Sequence, residues 1–315
     1  IIAPLFMVNS SGDRMIEAVI AASEISGRVA ASLSLSNYRG QMMSSLHALS
    51  TSIILSKLSD SKPETIKRAM AYSLSYPLRP TRDGFMTLGK LLVATIGFKH
   101  GVLSYKLATH SREIINSNVF TKFMDNWGGI VLTKPLSGLG KRWHIDTLSI
   151  KKYPACSYAQ TAIEAARDLH NILGAINPSR IVKIVIRENA LTYLMDKGHE
   201  HMIKGPGTTF TALQFYTPYL VSRTLLNGNL WLDDYNEESI NDPMTWALVN
   251  KTEIVHDLNL TLKLLNEPLP FGVAIGELGE PFIKTLNSTL GIPPAVLTGY
   301  DLDSVDFNRT RKYMG

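Results

Sequence analysis

The stretch SRIVKIVIRE, residues 179–188, decides the fold class, because its apolar and polar side chains alternate. A period of two residues is typical of a strand with one buried face. The stretch LNLTLKL, residues 258–264, alternates in the same way and predicts another strand. Segments 213–226 and 243–249 lie between them and have helical patterns. We therefore expect a mixed α/β region with strands at 181–187 and 258–264.

The chain before this region has helical periodicity. In GDRMIEAVIAASEISGRVAASL, which begins at Gly12, apolar residues recur at steps of three and four. From Met86 to Leu107, small and apolar residues predict another buried helix, with Lys90 near its start. The sequence thus indicates an α+β protein. We expect a large all-helical domain over 1–135, a smaller α/β domain over 136–265, and a C-terminal segment, 266–315, that returns to the helical domain.

Composition and charge narrow the function classes. The chain has 315 residues, of which 45% are hydrophobic and 19% are charged, and no apolar run reaches the length of about 18 residues that a membrane span needs. The formal net charge is +5, but lysine and arginine are spread along the chain without an RNA-binding or zinc-finger signature. We expect no membrane and no nucleic-acid partner. A mild positive excess also suits a small anionic substrate.

The single cysteine, Cys156, excludes an internal disulfide framework and any zinc site built from several cysteines. Cysteine usage of this kind favours a reducing compartment. The sequence therefore predicts a cytoplasmic protein in which Cys156 packs as a small hydrophobic side chain, not as a nucleophile.

Two further motifs resemble functional sites, but neither is predicted to bind a ligand or to catalyse a reaction. The glycines of KGPGTT, residues 204–209, lack the spacing of a phosphate-binding loop and predict a turn. His199, Glu200 and His201 resemble a metal cluster, but residues two apart on a helix face different directions. A solvated loop is the simpler interpretation, and we expect no metal. No G-x-S-x-G nucleophile elbow occurs in the sequence.

The remaining chemical signal is cationic. Lys90 and the Lys151–Lys152 pair before Tyr153 could hold a carboxylate or move a proton. A lysine acts as a base only where burial or neighbouring positive charge makes its neutral form accessible. Taken singly, each lysine is also compatible with ordinary surface solvation.

The stretch KKYPACSYAQTAIEAA, residues 151–166, resembles the K-x-Y-P-x-C-x-x-x-H-x-x-I-[DE]-A segment of the MmgE/PrpD family. Enzymes of this family dehydrate, decarboxylate or epimerise small carboxylic acids. Four other segments resemble family segments in the same order, so that the resemblance covers about residues 3 to 260: MIEAVIAASEISGRVAASL, MTLGKLLVATIGFKHGVLSYKLA, QFYTPYLVSRTLLNGN and NDPMTWALVNKTEIVHD.

The resemblance implies a fold and a site. It implies a large helical domain, a smaller α/β lid domain, a cleft between them and a homodimer formed through the helical domain. It implies no metal and no organic cofactor. By position, Lys90 and Lys151 are the candidate catalytic residues at that cleft. The candidate substrate-binding residues are Gln41, Tyr153, Ser157 and Gln160.

The sequence also departs from the family pattern. The family's Asp-Asp-Thr-His region would lie before Ile1, and two family histidines fall at Gln41 and Gln160. Ser157 stands where arginine is common. Glutamine can hold a substrate oxygen but cannot exchange a proton near neutral pH. General acid–base chemistry would therefore lack its usual histidines.

Three hypotheses follow from these patterns. The first is a lyase or isomerase that acts on a small di- or tricarboxylic acid by acid–base chemistry without a cofactor. The second is a family-shaped subunit with an incomplete active site, which has a structural or regulatory role or needs a second subunit to supply missing residues. The third is an unrelated binding module.

Overall fold

The computed structural model describes residues 3–33, 43–76, 78, 83–116, 118–127 and 134–266. The chain forms two compact units, which divide between Leu148 and Ser149. The predictions for Gln41 and for the C-terminal segment beyond residue 266 lie outside the described residues.

Every described element of the first unit is helical, as the sequence patterns predict. The α-helices are α1 (Gly12–Ser32), α2 (Met43–Leu58), α3 (Pro63–Ser75), α4 (Lys90–His110) and α5 (Asn118–Trp127). Short 3-10 helices occur at Ala3–Met7, Asp83–Met86, Lys134–Leu136 and His144–Thr147.

Helix α2 lies in the core of the first unit and is buried along most of its length. Leu49 and Ile54 of α2 cluster with Ala22 and Val29 of α1. These α1 residues belong to the apolar face that the sequence predicts, and their burial confirms it. Removal of such side chains from water is the main source of stability for the helical packing.

Helix α4 packs against α2 through a face of small residues. At Gly101, a Cβ atom would lie 2.5 Å from the carbonyl oxygen of Ala48, and at Gly97 it would overlap the carbonyl oxygen of Ser44. The two helix backbones therefore approach as closely as they do because glycine occupies both positions.

The prediction of a buried helix after Met86 is correct for only one face of α4. The other face is exposed, and its large apolar side chains recur at steps of four and seven: Leu92, Ile96, Leu103 and Leu107, with exposed fractions of 55%, 44%, 54% and 52%. The sequence predicts complete burial because α4 has small residues on one face and leucines on the other, so the helix is apolar on all sides.

A buried ion pair joins α1 to the end of the first unit. Arg28 pairs with Glu24, and its guanidinium donates to carbonyl oxygens of the segment between Pro135 and Arg142. The other Glu24 oxygen accepts from the backbone N–H of His144 at 2.7 Å. Both charges are paired, which is the condition for their burial.

The second unit combines helices with strands. Its elements are α6 (Gln160–Leu173), β1 (Ile184–Glu188), α7 (Ala190–His199), α8 (Phe210–Leu213), α9 (Thr217–Asn227), α10 (Glu237–Asn241), α11 (Pro243–Val249), β2 (Thr252–His256) and α12 (Leu258–Asn266). Among the described residues, β1 and β2 pair in parallel, with Ile184 opposite Thr252 and Glu188 opposite His256. A mainly helical protein with a small α/β part is confirmed.

The predicted strand at 258–264 is wrong, because this stretch forms the helix α12. The strand lies just before it, at Thr252–His256. Asp257 separates the two elements, and its carboxylate accepts from the backbone N–H of Leu260 at 3.1 Å. This cap starts a helix, and leucine has a high helix propensity, so local signals outweigh the alternation. The prediction at 181–187 is confirmed from Ile184 onward.

The core of the second unit forms where α6, α9 and α11 meet. Tyr219 of α9 packs among Ile163 of α6 and Trp246 of α11, and all three are buried. At the end of α9, Gly228 has a φ of 74°, a left-handed conformation that glycine adopts without strain. The predicted turn at KGPGTT is confirmed, with positive φ at Gly205 and Gly207.

In the described part of the chain, none of the helices combines the length and the apolar character that a membrane crossing requires.

Candidate active site

The segment from Lys151 to Gln160 joins a loop to the start of α6, as its sequence predicts. Tyr153 and Ala155 are buried in the core of the second unit. The backbone N–H of Cys156 donates to the carbonyl oxygen of Gln214 at 2.8 Å. The carbonyl oxygen of Pro154 accepts from the Tyr235 hydroxyl at 2.9 Å. These contacts hold the loop against the body of the unit.

The Gln160 side chain lies inside this loop. Its amide oxygen accepts from the backbone N–H groups of Lys152 and Tyr153, at 3.2 and 3.0 Å. Its amide nitrogen donates to the carbonyl oxygen of Tyr153 at 3.1 Å and to that of Cys156 at 3.3 Å. Gln160 thus satisfies the polar backbone of the turn, and its role as a substrate ligand stays a prediction.

Glu164 lies one helical turn after Gln160 and anchors the other side of the loop. It accepts from the ammonium of Lys152 at 2.9 Å, from the Tyr153 hydroxyl and from Arg167. The Tyr153 hydroxyl and then Lys152 hold the pKa of Glu164 below its usual value. Burial first, and then the bond to Glu164, raise the pKa of Tyr153. The Tyr153 hydroxyl is therefore a donor at neutral pH.

Sequence reasoning did not single out Glu164. A signal for it was present, because Glu164 is four residues after Gln160 and three before Arg167 on one helix. Residues at these spacings share a helical face.

Lys151 differs from its neighbour Lys152. Both side chains are exposed, but the Lys151 ammonium donates to the carbonyl oxygen of Ala155 at 3.0 Å, whereas that of Lys152 pairs with Glu164. Ser157 is also exposed and begins the 3-10 helix Ser157–Ala159 that precedes α6. Cys156 is half-buried, so the predicted burial of its side chain is only partial. The loop thus presents a cation and a hydroxyl at its surface, above a core that contains Tyr153.

Lys90 belongs to the first unit, where it is the first residue of α4 and half-buried. Its backbone N–H donates to the carbonyl oxygen of Thr87 at 3.0 Å. Lys90 and Lys151 therefore lie in different units, and their meeting at one cleft stays a prediction. Tyr153, Ser157, Gln160 and Lys151 do lie together, within one loop and helix start.

Within the described residues, no group of three or more histidine, cysteine, aspartate or glutamate side chains could hold a metal ion. His199 ends α7, and its ring contacts the carbonyl oxygen of Met195 in its own helix. His201 follows in the 3-10 helix Glu200–Met202 and is exposed.

Comparison with known proteins identifies the second unit. Residues 153–269 match the MmgE/PrpD C-terminal domain. Over 108 residues the chain is 35% identical to the mitochondrial 2-methylcitrate dehydratase of Yarrowia lipolytica, and this match covers 33% of the chain. It spans only 20% of the length of that relative. The resemblance to the MmgE/PrpD family is confirmed for residues 153–269, which lie in the second unit except for their last few residues beyond Asn266 that the structure does not describe.

Proposed function

We propose that the chain is a lyase or isomerase, similar to 2-methylcitrate dehydratase, that acts on a small di- or tricarboxylic acid without a cofactor. The observation that carries this proposal is the exposed side chain of Lys151, whose ammonium is hydrogen-bonded to Ala155 in the loop at the edge of the matched family domain. A charge-assisted hydrogen bond between an ammonium and a carboxylate is stronger than a neutral one.

Dehydration, decarboxylation as in cis-aconitate decarboxylase, and epimerisation all develop negative charge next to a carboxylate. In a dehydration, a base removes the proton from the carbon beside the carboxylate, and the neighbouring hydroxyl leaves with a proton as water. A cation that binds the carboxylate stabilises that charge. The exposure of Lys151 suits this binding role better than the role of a base, which requires a buried lysine.

Lys90 is proposed as the second cation of the site. In this proposal Lys90 and Lys151 each bind one carboxylate of the same substrate. We also keep the expectation of a cytoplasmic protein, while the matched relative is described as mitochondrial.

Replacement of Lys151 by methionine is expected to weaken binding of citrate, 2-methylcitrate or cis-aconitate by about 10- to 100-fold. This range corresponds to loss of a contact of about 1.5 to 3 kcal/mol. Isothermal titration with each acid measures the change. Lys183→Met, which removes an exposed lysine paired with Glu253 elsewhere in the unit, is the matched control and should leave the affinity unchanged. Equal affinities for the two variants would remove Lys151 from the site.

A specific observation favours the alternative, in which the chain is a subunit with the fold of the family but an incomplete active site. Gln160 occupies the position of a family histidine, and its amide is engaged with the backbone of its own loop. It therefore supplies structure to the turn in place of proton transfer. Such a subunit would serve regulation or structure, or would receive its missing residues from a second chain.

We further propose that the protein is a homodimer that assembles through the exposed leucine face of α4. Soluble proteins rarely expose a large contiguous apolar patch unless another molecule binds to it. The exposed leucines of α4 form such a patch. Light scattering at micromolar concentration is expected to give twice the mass of the chain, and Leu92→Glu with Leu103→Glu should halve it. Ile172→Glu, at an exposed apolar residue of the second unit, is the control. A monomeric unmodified protein would contradict the proposal.

A further inference from the structure

Two acidic side chains that the proposed chemistry does not use are buried together in the second unit. Glu188, the last residue of β1, is 5% exposed, and Asp196 in α7 is 3% exposed. Both carboxyl oxygens of Glu188 are inaccessible to solvent and have no hydrogen-bond donor among the described residues. A charged carboxylate in this situation would be very costly.

Asp196 is in the opposite situation. One of its oxygens accepts from the backbone N–H of Thr217 at 3.1 Å and the other from the Thr217 hydroxyl at 2.6 Å. Because Thr217 is the first residue of α9, Asp196 fastens α7 to the start of α9. Two donors favour the charged form of Asp196. A protonated Glu188 would add a third donor, and this is the arrangement that satisfies both acids.

We propose that Glu188 and Asp196 share one proton and form a pH-sensitive fastening that holds α7 to the end of β1 and the start of α9. The elements meet at this point, since the carbonyl oxygen of Glu188 also accepts from the N–H of Asp257 at 2.7 Å, just before α12. Loss of the shared proton leaves two buried negative charges side by side and weakens the fastening.

Electrostatics at the pair agrees with this arrangement. Burial, and then the charge of Asp196, raise the pKa of Glu188 to about 9. Burial also raises the pKa of Asp196, and the hydrogen bonds from Thr217 oppose that effect. The other ionisable groups around the pair are Lys197 and Tyr193 of α7, Glu200, Tyr216, His256 of β2, Asp257 and, on α12, the exposed Lys263.

Two of these neighbours, His256 and Tyr216, do not change their protonation between pH 7 and pH 9. Burial lowers the pKa of His256, so this ring is neutral above pH 7. Burial raises the pKa of Tyr216 to about 12, so this phenol stays protonated at pH 9. Between about pH 7 and pH 9 the change at the pair is therefore assigned to Glu188.

The sign of the effect follows from proton counting. In the unfolded chain a glutamate loses its proton near pH 4.3. In the folded protein Glu188 keeps its proton up to about pH 9. Between these values the folded state binds more protons, so stability falls as pH rises, by up to about tenfold in the unfolding equilibrium constant per pH unit.

The test is urea unfolding of the full chain at pH 7, 8 and 9, for the unmodified protein and for Glu188→Gln. A glutamine donates to Asp196 at every pH, so the variant should lose the contribution of one proton to the pH dependence and should be the more stable protein at pH 8. Glu238→Gln makes the same charge change at an exposed site on α10 and should retain the pH dependence of the unmodified protein. Equal pH slopes for all three proteins would overturn the proposal.

Carbon-13 NMR of glutamate carboxyl groups in the unmodified protein gives a second measurement that does not require a variant to fold. We expect one glutamate resonance to titrate well above pH 7. A set of glutamate resonances that all titrate below pH 6 would also overturn the proposal. Neither measurement depends on enzymatic activity.

Discussion

Replacement of Asp234 by alanine is expected to lower the free energy of unfolding by about 3 kcal/mol, because it removes the nearer of the two carboxylates that pair with the buried Arg223. One oxygen of Asp234 accepts from the Arg223 guanidinium at 2.7 Å and from Asn227 at 2.8 Å. The other accepts from the backbone N–H of Trp231 at 2.7 Å. The side chains of Arg223 and Asp234 are each 10% exposed.

Urea unfolding at pH 7 measures this effect, with Asp233→Ala as the matched control. Asp233 is the adjacent residue with the same charge, but it is exposed. We expect the control to change the free energy of unfolding by less than about 0.5 kcal/mol. Asp242 also contacts Arg223, at 3.1 Å, and compensates for part of the loss. Equal stabilities of the two variants would show that the buried network contributes nothing.

The double substitution Gly97→Val and Gly101→Val is expected to destabilise the first unit by about 2 to 6 kcal/mol. Overpacking costs about 1 to 3 kcal/mol at each site, and here the new atoms meet the backbone of α2. At Gly101 the contacts are the carbonyl oxygen of Ala48 and the side chain of Thr51. Backbone atoms cannot move aside as a flexible side chain does, so α4 must separate from α2.

Thermal unfolding followed by circular dichroism measures this change. Gly12→Val is the control, because a Cβ at Gly12 meets no atom within 4 Å. We expect the control to unfold at nearly the temperature of the unmodified protein. A double variant that matches the control would mean that α2 and α4 do not approach closely in solution.

Elements are predicted correctly from the sequence where their apolar side chains recur with either the helical or the strand period, and not with both. The apolar face of α1 and the strand from Ile184 are correct for this reason. The helix predicted at 243–249 is also correct, since Asp242 caps it and Pro243 begins it. In each case the local pattern agrees with the burial that tertiary packing requires.

Prediction fails where two local signals compete or where the cause is distant in sequence. The stretch after Asp257 alternates like a strand, yet a helix cap precedes it and the helix forms. The partnership of Glu188 with Asp196, and that of Arg223 with Asp234, depends on which elements meet in the folded unit. Spacing along the chain contains no information on such pairs.

The candidate site was predictable in part. The loop, the helix that follows it and the family resemblance could be read from Lys151 to Ala166. The different hydrogen-bond partners of the two lysines in the loop could not be predicted. Which lysine pairs with Glu164 and which donates to Ala155 depends on how the turn folds around Gln160, and both lysines look alike in the sequence.

We propose above that the chain binds and converts a small polycarboxylic acid. The most direct measurement is ultraviolet absorbance of the full chain mixed with 2-methylcitrate or citrate, because loss of water from either creates an absorbing alkene conjugated with a carboxylate. We expect a rise in absorbance that Lys151→Met slows by about 10- to 100-fold and that Lys183→Met leaves unchanged. Constant absorbance, together with no binding of any di- or tricarboxylate, would contradict it and would leave the incomplete subunit as the better description.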